Sequence, residues 1–202
     1  AGSTIGSFYM WKFAGFDDEG SFLLYNKDGE VIPAAQKTEN DKQYIGNYTP
    51  KLIIGWSHTL TYKNFDLGIN LRSWIDFDVY NTINMYYGIQ GQGNLNVLKD
   101  AYGKFNHIKG EKQICDYFLE DGTFLKIDAI TLGYTLPMKM YTNNLIDRIR
   151  IYGTVGNVCT ITGYSGMNPE VDITGWDKGT EKFWSDFYPV VRTWTLGMQF
   201  NF

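Results

Sequence analysis

The sequence predicts an all-β protein, an antiparallel transmembrane β-barrel segment with long connecting loops. Three observations lead to this prediction. The last ten residues alternate between bulky apolar and polar or glycine positions, the aromatic content is high, and short and long connections alternate along the chain. A strand with one apolar and one polar face fits a wall that separates lipid from a polar interior.

The final segment of the chain carries the strongest alternation. Successive side chains of a strand point to opposite faces, so apolar residues at every second position share one face. A soluble sandwich strand can also alternate, but it rarely holds five bulky residues in ten and ends on Phe. We therefore interpret five residues as a barrel-closing signal: Trp194, Leu196, Met198, Phe200 and Phe202.

Composition supports this fold class and excludes others. Aromatic residues make up 17% of the chain, with 15 Tyr, 13 Phe and 6 Trp, and barrels use such residues as girdles at the head groups. No uninterrupted apolar run approaches the roughly 18 residues of a spanning helix, which excludes a helical membrane protein. A net charge of −4 argues against nucleic acid as a partner.

Six strands are predicted, each long enough to cross the hydrocarbon layer, which takes about 9–11 tilted residues. Around Lys126 and Asp128 the alternation breaks, which predicts either a β-bulge or a stretch above the membrane. The predicted strands are Ser7–Gly15, Lys51–Tyr62, Asp66–Phe77, Thr123–Leu136, Ile146–Cys159 and Tyr188–Phe202.

The connections between these strands alternate in length. Short turns are predicted at 63–65 and 137–145, and long segments at 16–49, 78–121 and 160–188. Barrels of the bacterial outer membrane have short periplasmic turns and long external loops, so we expect the long segments outside and the C-terminus in the periplasm. Six strands would leave two unpaired edges. We therefore expect either earlier strands before Ala1, which is the simpler option, or several copies in one wall.

Five groups of motifs follow one another along essentially the whole chain. They are Gly6-Ser7-Phe8-Tyr9 with Ala14-Gly15-Phe16, Ile45-Gly46-Asn47-Tyr48-Thr49-Pro50-Lys51 with Tyr62-Lys63-Asn64-Phe65-Asp66-Leu67, Thr123-Phe124-Leu125-Lys126-Ile127 with Thr131-Leu132-Gly133-Tyr134-Thr135-Leu136-Pro137, Thr162-Gly163-Tyr164-Ser165-Gly166-Met167-Asn168-Pro169-Glu170, and Tyr188-Pro189 with Arg192-Thr193. In this order the motifs resemble the C-terminal barrel of SusC/RagA-type TonB-dependent outer-membrane transporters.

The resemblance implies that residues 1–202 supply the last six strands of a 22-stranded barrel, and that an N-terminal plug and a TonB-contacting segment lie outside this chain. It implies TonB-dependent import of glycans or other large nutrients, including oligopeptides, with a SusD-like surface lipoprotein as partner. A passive porin-like or multichain pore is the alternative, and a soluble glycan-binding β-sandwich is a more distant one.

Aromatic residues in the long loops are the candidate substrate contacts, because the C–H face of a sugar stacks on an aromatic ring. Loop packing is the alternative role of each ring. Nearby amides that could bond sugar hydroxyls are Asn81, Asn84, Gln90 and Gln92. The candidate aromatic residues are Tyr80, Tyr86, Tyr87, Tyr164, Trp176 and Trp184.

Two acidic stretches, 17–19 and 26–30, bring oxygen ligands together. The second places its glycine at position four, whereas an EF-hand loop requires it at six, so we predict solvated turns and no metal site.

His58 and His107 are the only histidines, and neither has an acid or nucleophile at meaningful spacing, so we expect no enzymatic activity and no cofactor. Cys115 and Cys159 would both face an oxidising surface. A disulfide between them is therefore permitted but not specified.

Overall fold

The computed structural model describes residues 4–91, 96–138, 146–170 and 190–202. These residues divide between two compact units. We call the first the sheet unit, which comprises the described residues of 52–75, 124–162 and 189–202. The second, the connector unit, comprises the described residues of 1–51, 76–123 and 163–188.

The described residues are mostly β-structure. The strands are β1 (Ser7–Met10), β2 (Lys12–Phe16), β3 (Phe22–Tyr25), β4 (Val31–Pro33), β5 (Gln43–Asn47), β6 (Leu52–Tyr62), β7 (Phe65–Ile75), β8 (Asp78–Tyr80), β9 (Leu119–Asp121), β10 (Phe124–Pro137), β11 (Arg148–Thr162) and β12 (Thr193–Asn201). The α-helix is α1 (Thr82–Tyr87), and short 3-10 helices span Ala34–Gln36, Glu39–Asp41, Lys99–Tyr102 and Asp116–Phe118.

The sheet unit is one antiparallel sheet in the order β12-β11-β10-β7-β6. The hairpin predicted between β6 and β7 is present, with Tyr62 paired to Phe65 and only Lys63 and Asn64 in the turn. Lys63 has a φ of 53°, the left-handed conformation that such tight hairpin turns require. The carbonyl of Asn64 accepts a hydrogen bond from the backbone N–H of Thr135 at 2.8 Å, which fixes the turn to β10.

A β-bulge lies in β10 where the sequence pattern breaks. Ile127 pairs with Leu71 while Ala129 pairs with Asn70, so Asp128 is an extra residue relative to β7. A bulge re-aims the side chains that follow it. Before the bulge the apolar residues of β10 are at odd-numbered positions, and after it they are at even-numbered positions. Because of the bulge, both sets lie on the same side of the sheet.

The register places the long connections at one end of the sheet. Leu52 pairs with Ile75, Trp74 with Phe124, and Phe124 with Thr162. These four strands therefore begin or end side by side. The Lys63–Asn64 turn lies at the opposite end, so the predicted alternation of short and long connections matches the register.

The connector unit contains three small antiparallel sheets, β1-β5, β2-β3-β4 and β8-β9. They surround an aromatic-rich core in which Phe22, Leu24 and Ile108 are completely or almost completely buried. The helices among the described residues are too short or too polar to cross a bilayer. The remaining buried members of this core are Met10, Trp11, Ala34, Tyr80, Met85, Ile89, Phe105, Cys115 and Phe118.

The prediction of one long barrel strand over 7–15 is wrong. These residues form β1, which pairs with β5, and β2, which pairs with β3, both inside the connector unit. Met10 and Trp11 are consecutive and both buried, which ends the alternation of a two-faced strand. The sheet unit therefore has five strands among the described residues, one fewer than the six predicted.

Candidate functional site

One face of the sheet unit is largely apolar, because most cross-strand neighbours on it carry apolar side chains. Leu60 and Leu132 are about half exposed at 51% and 54%, and Leu196 is 89% exposed. A large exposed apolar surface is unfavourable in water, so this face fits contact with an apolar medium. One row across the sheet is Leu60, Leu67, Leu132, Gly153 and Leu196, and the next is His58, Ile69, Ile130, Val155 and Trp194.

Aromatic residues border the apolar face at the short-turn end. Tyr62 pairs with Phe65, and the ring of Phe65 lies 4.7 Å from that of Tyr134. The ammonium of Lys63 lies 5.4 Å from the centre of the Tyr62 ring. Aromatic rings beside a cation at a strand end match a membrane-interface girdle.

Four of the five residues of the closing segment lie together on this apolar side of β12, and Phe202 follows the strand. Each is exposed, from 48% at Phe200 to 89% at Leu196. Strand pairing places Trp194 opposite Val155 and Met198 opposite Ile151. The apolar and polar positions that alternate in the sequence therefore lie on opposite faces of the strand. The other members are Leu196, which is opposite Gly153, Phe200, which is opposite Ile149, and Phe202, which follows the strand.

The opposite face of the sheet is polar and is organised by ion pairs. Arg72 donates two hydrogen bonds to Asp128, at 2.9 and 3.1 Å. The buried ammonium of Lys126 lies 3.9 Å from the same carboxylate. Asp128 is the bulge residue, so the bulge places a carboxylate between two cations. On the same face the hydroxyls of Thr131 and Thr154 are 2.9 Å apart.

Glycines let large polar side chains lie flat across this polar face. The guanidinium of Arg150 passes over Gly133, where an added Cβ would lie 2.7 Å from Nε. The ring of Tyr152 lies over Gly197, where an added Cβ would lie 2.7 Å from a ring carbon. This face therefore offers hydrogen-bonding groups to a polar interior, whereas the other face offers mostly apolar side chains.

In the connector unit, two of the predicted aromatic contacts are buried. Tyr80 is 4% exposed, and its hydroxyl lies 3.0 Å from the sulfur of Met85. Burial raises the pKa of Tyr80. Tyr164 is 6% exposed, and Gly166 packs against its ring. Both rings therefore pack inside the connector unit, which is the alternative role considered for them from the sequence.

Tyr86 and Tyr87 are half-buried at the C-terminal end of α1. The ammonium of Lys112 donates to the backbone carbonyl of Tyr86 at 2.6 Å and lies 5.0 Å from the centre of its ring. Burial lowers the pKa of Lys112. Among the six predicted aromatic contacts, Tyr86 and Tyr87 are partly exposed, although Tyr86 also packs against the core of the connector unit. Trp176 and Trp184 lie outside the described residues.

The predicted amide partners are used inside the protein. Asn81 and Asn84 are buried and hydrogen-bonded, and the side-chain amide of Gln90 donates to the carbonyl of Ala101 at 2.6 Å. Gln92 lies outside the described residues. These amides shape the loop around α1, which the sequence could not distinguish from ligand contact.

The two acidic stretches form tight turns. Asp17 accepts hydrogen bonds from the backbone N–H groups of Glu19 and Ser21, at 3.0 and 2.7 Å. Asn26 accepts from those of Asp28 and Glu30, at 3.0 and 2.8 Å. Their oxygen atoms close the turns, as expected for side chains that bond to nearby backbone.

The two histidines and the two cysteines lie in different surroundings. His58 lies on the apolar face, 5.7 Å from the ring of Trp56, and His107 packs edge-on against Phe16. Both cysteines are free thiols, Cys115 buried in the connector unit and Cys159 exposed on the sheet. Burial raises the pKa of the Cys115 thiol to about 12.

An exposed aromatic pair in the connector unit was missed as a candidate. Tyr9 and Tyr44 face each other across β1 and β5, with ring centres 5.0 Å apart. They are 52% and 63% exposed. The only sequence signal is weak alternation in two short segments, and it becomes interpretable once the strands are paired.

The sequence of the whole chain is similar to those of TonB-dependent receptors. It is 25% identical over 224 positions to TonB-dependent receptor P3 of Formosa agariphila, of which it covers 22%. It is 27% identical over 214 positions to TonB-dependent receptor SusC of Bacteroides thetaiotaomicron, of which it covers 20%. The chain thus spans about a fifth of the length of these curated relatives. No protein-family model matches it.

Solved structures show the same fold. The chain superimposes on the RagAB peptide importer in the open-open state with a TM-score of 0.77 and 24% identity, over 97% of this chain and 22% of that one. A structure of the RagAB peptide transporter gives a TM-score of 0.73 and 23% identity, over 96% and 22%. The resemblance drawn from the sequence motifs is therefore confirmed: this chain has the sequence likeness and the antiparallel barrel fold of SusC/RagA-type TonB-dependent receptors.

Proposed function

We propose that this chain forms part of the wall and loops of an outer-membrane importer that takes up a large nutrient with energy supplied through TonB. The observation that carries the proposal is the two-faced sheet. Leu60, Leu132 and Leu196 lie in one exposed apolar row, and ion pairs such as Arg72–Asp128 lie on the other face. Lipid outside and a polar interior would satisfy both faces.

We place the Lys63–Asn64 turn and the end of β12 on the periplasmic side, and the end of the sheet where the long connections begin on the outer side. The support is the register, which puts the short turn and the long connections at opposite ends of the sheet. In bacterial barrels the short turns are periplasmic. On the likeness to the longer TonB-dependent receptors, we also propose that residues 1–202 are a barrel part, with a plug and a TonB-contacting segment elsewhere in the protein.

The substrate class we propose is a glycan or an oligopeptide, held in part by Tyr86 and Tyr87. Their half-buried rings can stack on a sugar or pack against a peptide. The similar RagAB structures are described as a peptide importer, which supports the peptide class. A SusD-like lipoprotein is the proposed surface partner, on the likeness to SusC.

Uptake by the full-length protein in outer membranes tests the proposal. A labelled oligosaccharide and a labelled oligopeptide are supplied with and without a protonophore that removes the energy TonB transmits. We expect uptake of one probe to stop with the protonophore. Uptake that continues at the same rate would establish a passive pore in place of an energised importer.

Substitution of Tyr87 by Ala tests the candidate contacts. A lost stacking contact is worth about 0.5–1.5 kcal/mol. We therefore expect the substrate concentration that gives half-maximal uptake to rise by roughly 2- to 10-fold. The matched control is Tyr102→Ala, because Tyr102 is 71% exposed in another part of the connector unit. Equal behaviour of the two variants would remove Tyr87 from the substrate site.

A further inference from the structure

Helix α1, which carries Tyr86 and Tyr87, has only six residues. A helix this short is not stable by itself in water, so its position depends on contacts from other segments. Asn81 caps its N-terminus, and the side-chain oxygen of Asn81 accepts from the backbone N–H of Asn84 at 2.9 Å. The residues that hold this helix therefore decide where the two tyrosine rings lie.

Glu120 on β9 holds the N-terminal end of the helix. One of its carboxylate oxygens accepts from the side-chain amide of Asn81 at 3.0 Å and from the hydroxyl of Ser165 at 2.7 Å. Its other oxygen accepts from the backbone N–H of Ser165 at 2.8 Å. Hydrogen bonds to an ionised group are the stronger kind. One carboxylate thus joins the helix cap to the 163–170 segment.

Ser165 completes the connection. While its hydroxyl donates to Glu120, it accepts from the side-chain amides of Asn84 at 3.0 Å and Asn81 at 3.3 Å. Asn81 and Asn84 are 0% and 7% exposed, so loss of their partner would leave buried donors unpaired. The hydroxyl uses its one proton and both lone pairs, which fixes its orientation.

Lys112 holds the C-terminal end of the helix. Its ammonium binds the carbonyl of Tyr86 at 2.6 Å, and it also lies 5.0 Å from the centre of that residue's ring. The last carbonyls of a helix lack partners inside the helix, and a cation there is favourable. A single side chain therefore fixes both the backbone and the ring of Tyr86.

We propose that Glu120 and Lys112 are positioning residues for the ligand-contacting rings of α1. Glu120, through Asn81 and Ser165, sets the start of the helix, and Lys112 sets its end. The proposal rests on the proposed function, since it requires that Tyr86 or Tyr87 touches the substrate. It goes beyond that function by assigning ligand affinity to two residues that need not contact the ligand.

The test uses Glu120→Gln and Lys112→Met in the full-length protein. Gln keeps the shape of Glu120 but replaces an acceptor oxygen by a donor, and Met keeps the length of Lys112 without its charge. Controls that remove the same charges from exposed residues are Glu19→Gln and Lys99→Met. Lys112→Arg is the rescue variant, because it restores a cation at the end of the helix.

Two measurements are made on each variant: hydrogen exchange of the amides in 82–90, and the dissociation constant for the labelled oligosaccharide and oligopeptide. Loss of one charge-assisted hydrogen bond should speed exchange about tenfold or more in the two test variants and not in the controls. Affinity should fall by roughly 3- to 10-fold at an unchanged number of binding sites, and Lys112→Arg should recover most of it.

Exchange at the control rate in both test variants would overturn the positioning role, whether or not either probe binds. Suppose that Tyr87→Ala weakens ligand binding, while the two test variants show faster exchange and unchanged affinity. That result would overturn the link to affinity but leave the proposed function standing. If Tyr87→Ala and Tyr86→Ala both leave affinity unchanged, the substrate contacts themselves are wrong, and the ligand-positioning role is overturned with them.

Discussion

Arg150 on β11 forms a two-point ion pair with Asp66 on β7, although β10 lies between their strands. Nε of Arg150 is 2.9 Å from Oδ1 of Asp66, and Nη2 contacts Oδ2. The side chain crosses β10 above Gly133, and its guanidinium also lies 4.8 Å from the centre of the Tyr152 ring. One ion pair thus links three strands on the polar face.

Replacement of Gly133 by Ala should break this link. Its Cβ would lie 2.7 Å from Nε of Arg150, so the guanidinium must move away from Asp66. We expect a loss of about 1–3 kcal/mol in the free energy of unfolding, measured by denaturant in detergent or lipid. Gly68→Ala is the control, because its Cβ would meet only Thr131, at 3.9 Å. The interpretation is wrong if the two variants are equally stable.

Substitution of Leu196 by Arg tests which face of β12 meets lipid. Leu196 is 89% exposed on the apolar face, and a cation at the bilayer midplane costs about 2–4 kcal/mol. Thr195→Arg, on the opposite face of the same strand, should cost much less. Folding in lipid vesicles gives both values. Similar costs at the two positions would contradict the assignment of faces.

Cys115 should resist alkylation in the folded protein. It is fully buried, and burial raises its pKa to about 12, which leaves about a thousandfold less thiolate at a given pH than an ordinary thiol. Labelling is followed in a Cys159→Ala background, with Asp18→Cys as an exposed reference thiol. We expect Cys115 to react only after denaturation. Reaction as fast as the reference thiol would show that the connector core opens readily.

The stability of the connector unit should depend on Asp116. Its carboxylate accepts from the backbone N–H of Phe13 at 2.5 Å, and burial raises its pKa. A raised pKa means that the folded state binds the proton more tightly than the unfolded state. This contribution to stability is fully present below the unfolded value of about 3.9 and is lost as pH rises through the folded value.

Asp116→Asn should therefore flatten the pH dependence of protection in β2, because the amide of Asn does not titrate. The amide oxygen can still accept from the backbone N–H of Phe13, so the hydrogen bond is kept. Protection is measured by hydrogen exchange between pH 4 and 7, corrected for intrinsic rates. Asp18→Asn, in an exposed turn, should leave the dependence unchanged. An undiminished pH dependence in Asp116→Asn would assign it to another group, of which Asp78 is the first to examine because burial also raises its pKa.

The long strands could be predicted because a two-faced strand leaves a local signal. β12, β6 and β7 have the predicted faces. The bounds of β6 and β7 differ from the prediction by at most two residues, and β12 begins at Thr193 and not at Tyr188. The pleat alone sends alternate side chains to opposite sides, so no partner needs to be known. The bulge at Asp128 was also visible as a break in that pattern.

The connector unit could not be predicted in the same way. Tyr9 resembles a membrane-facing residue in sequence, yet it pairs with Tyr44 in a separate small sheet. Tyr80 and Tyr86 lie six positions apart, and the first is buried in the core while the second is only partly buried beside it. An aromatic side chain suits a core, a girdle or a binding surface equally well, so its type does not decide among them.

By itself, the sequence determined the fold class, the faces of the long strands and the alternation of short and long connections. The tertiary structure decided which segments pair, which aromatic rings are buried, and how Arg150 reaches Asp66 and Glu120 reaches Ser165. The physical reason is how far apart in the sequence the interacting residues lie. Strand periodicity acts between adjacent residues, whereas burial and these polar contacts join residues 45 and 84 positions apart, and depend on the fold that brings them together.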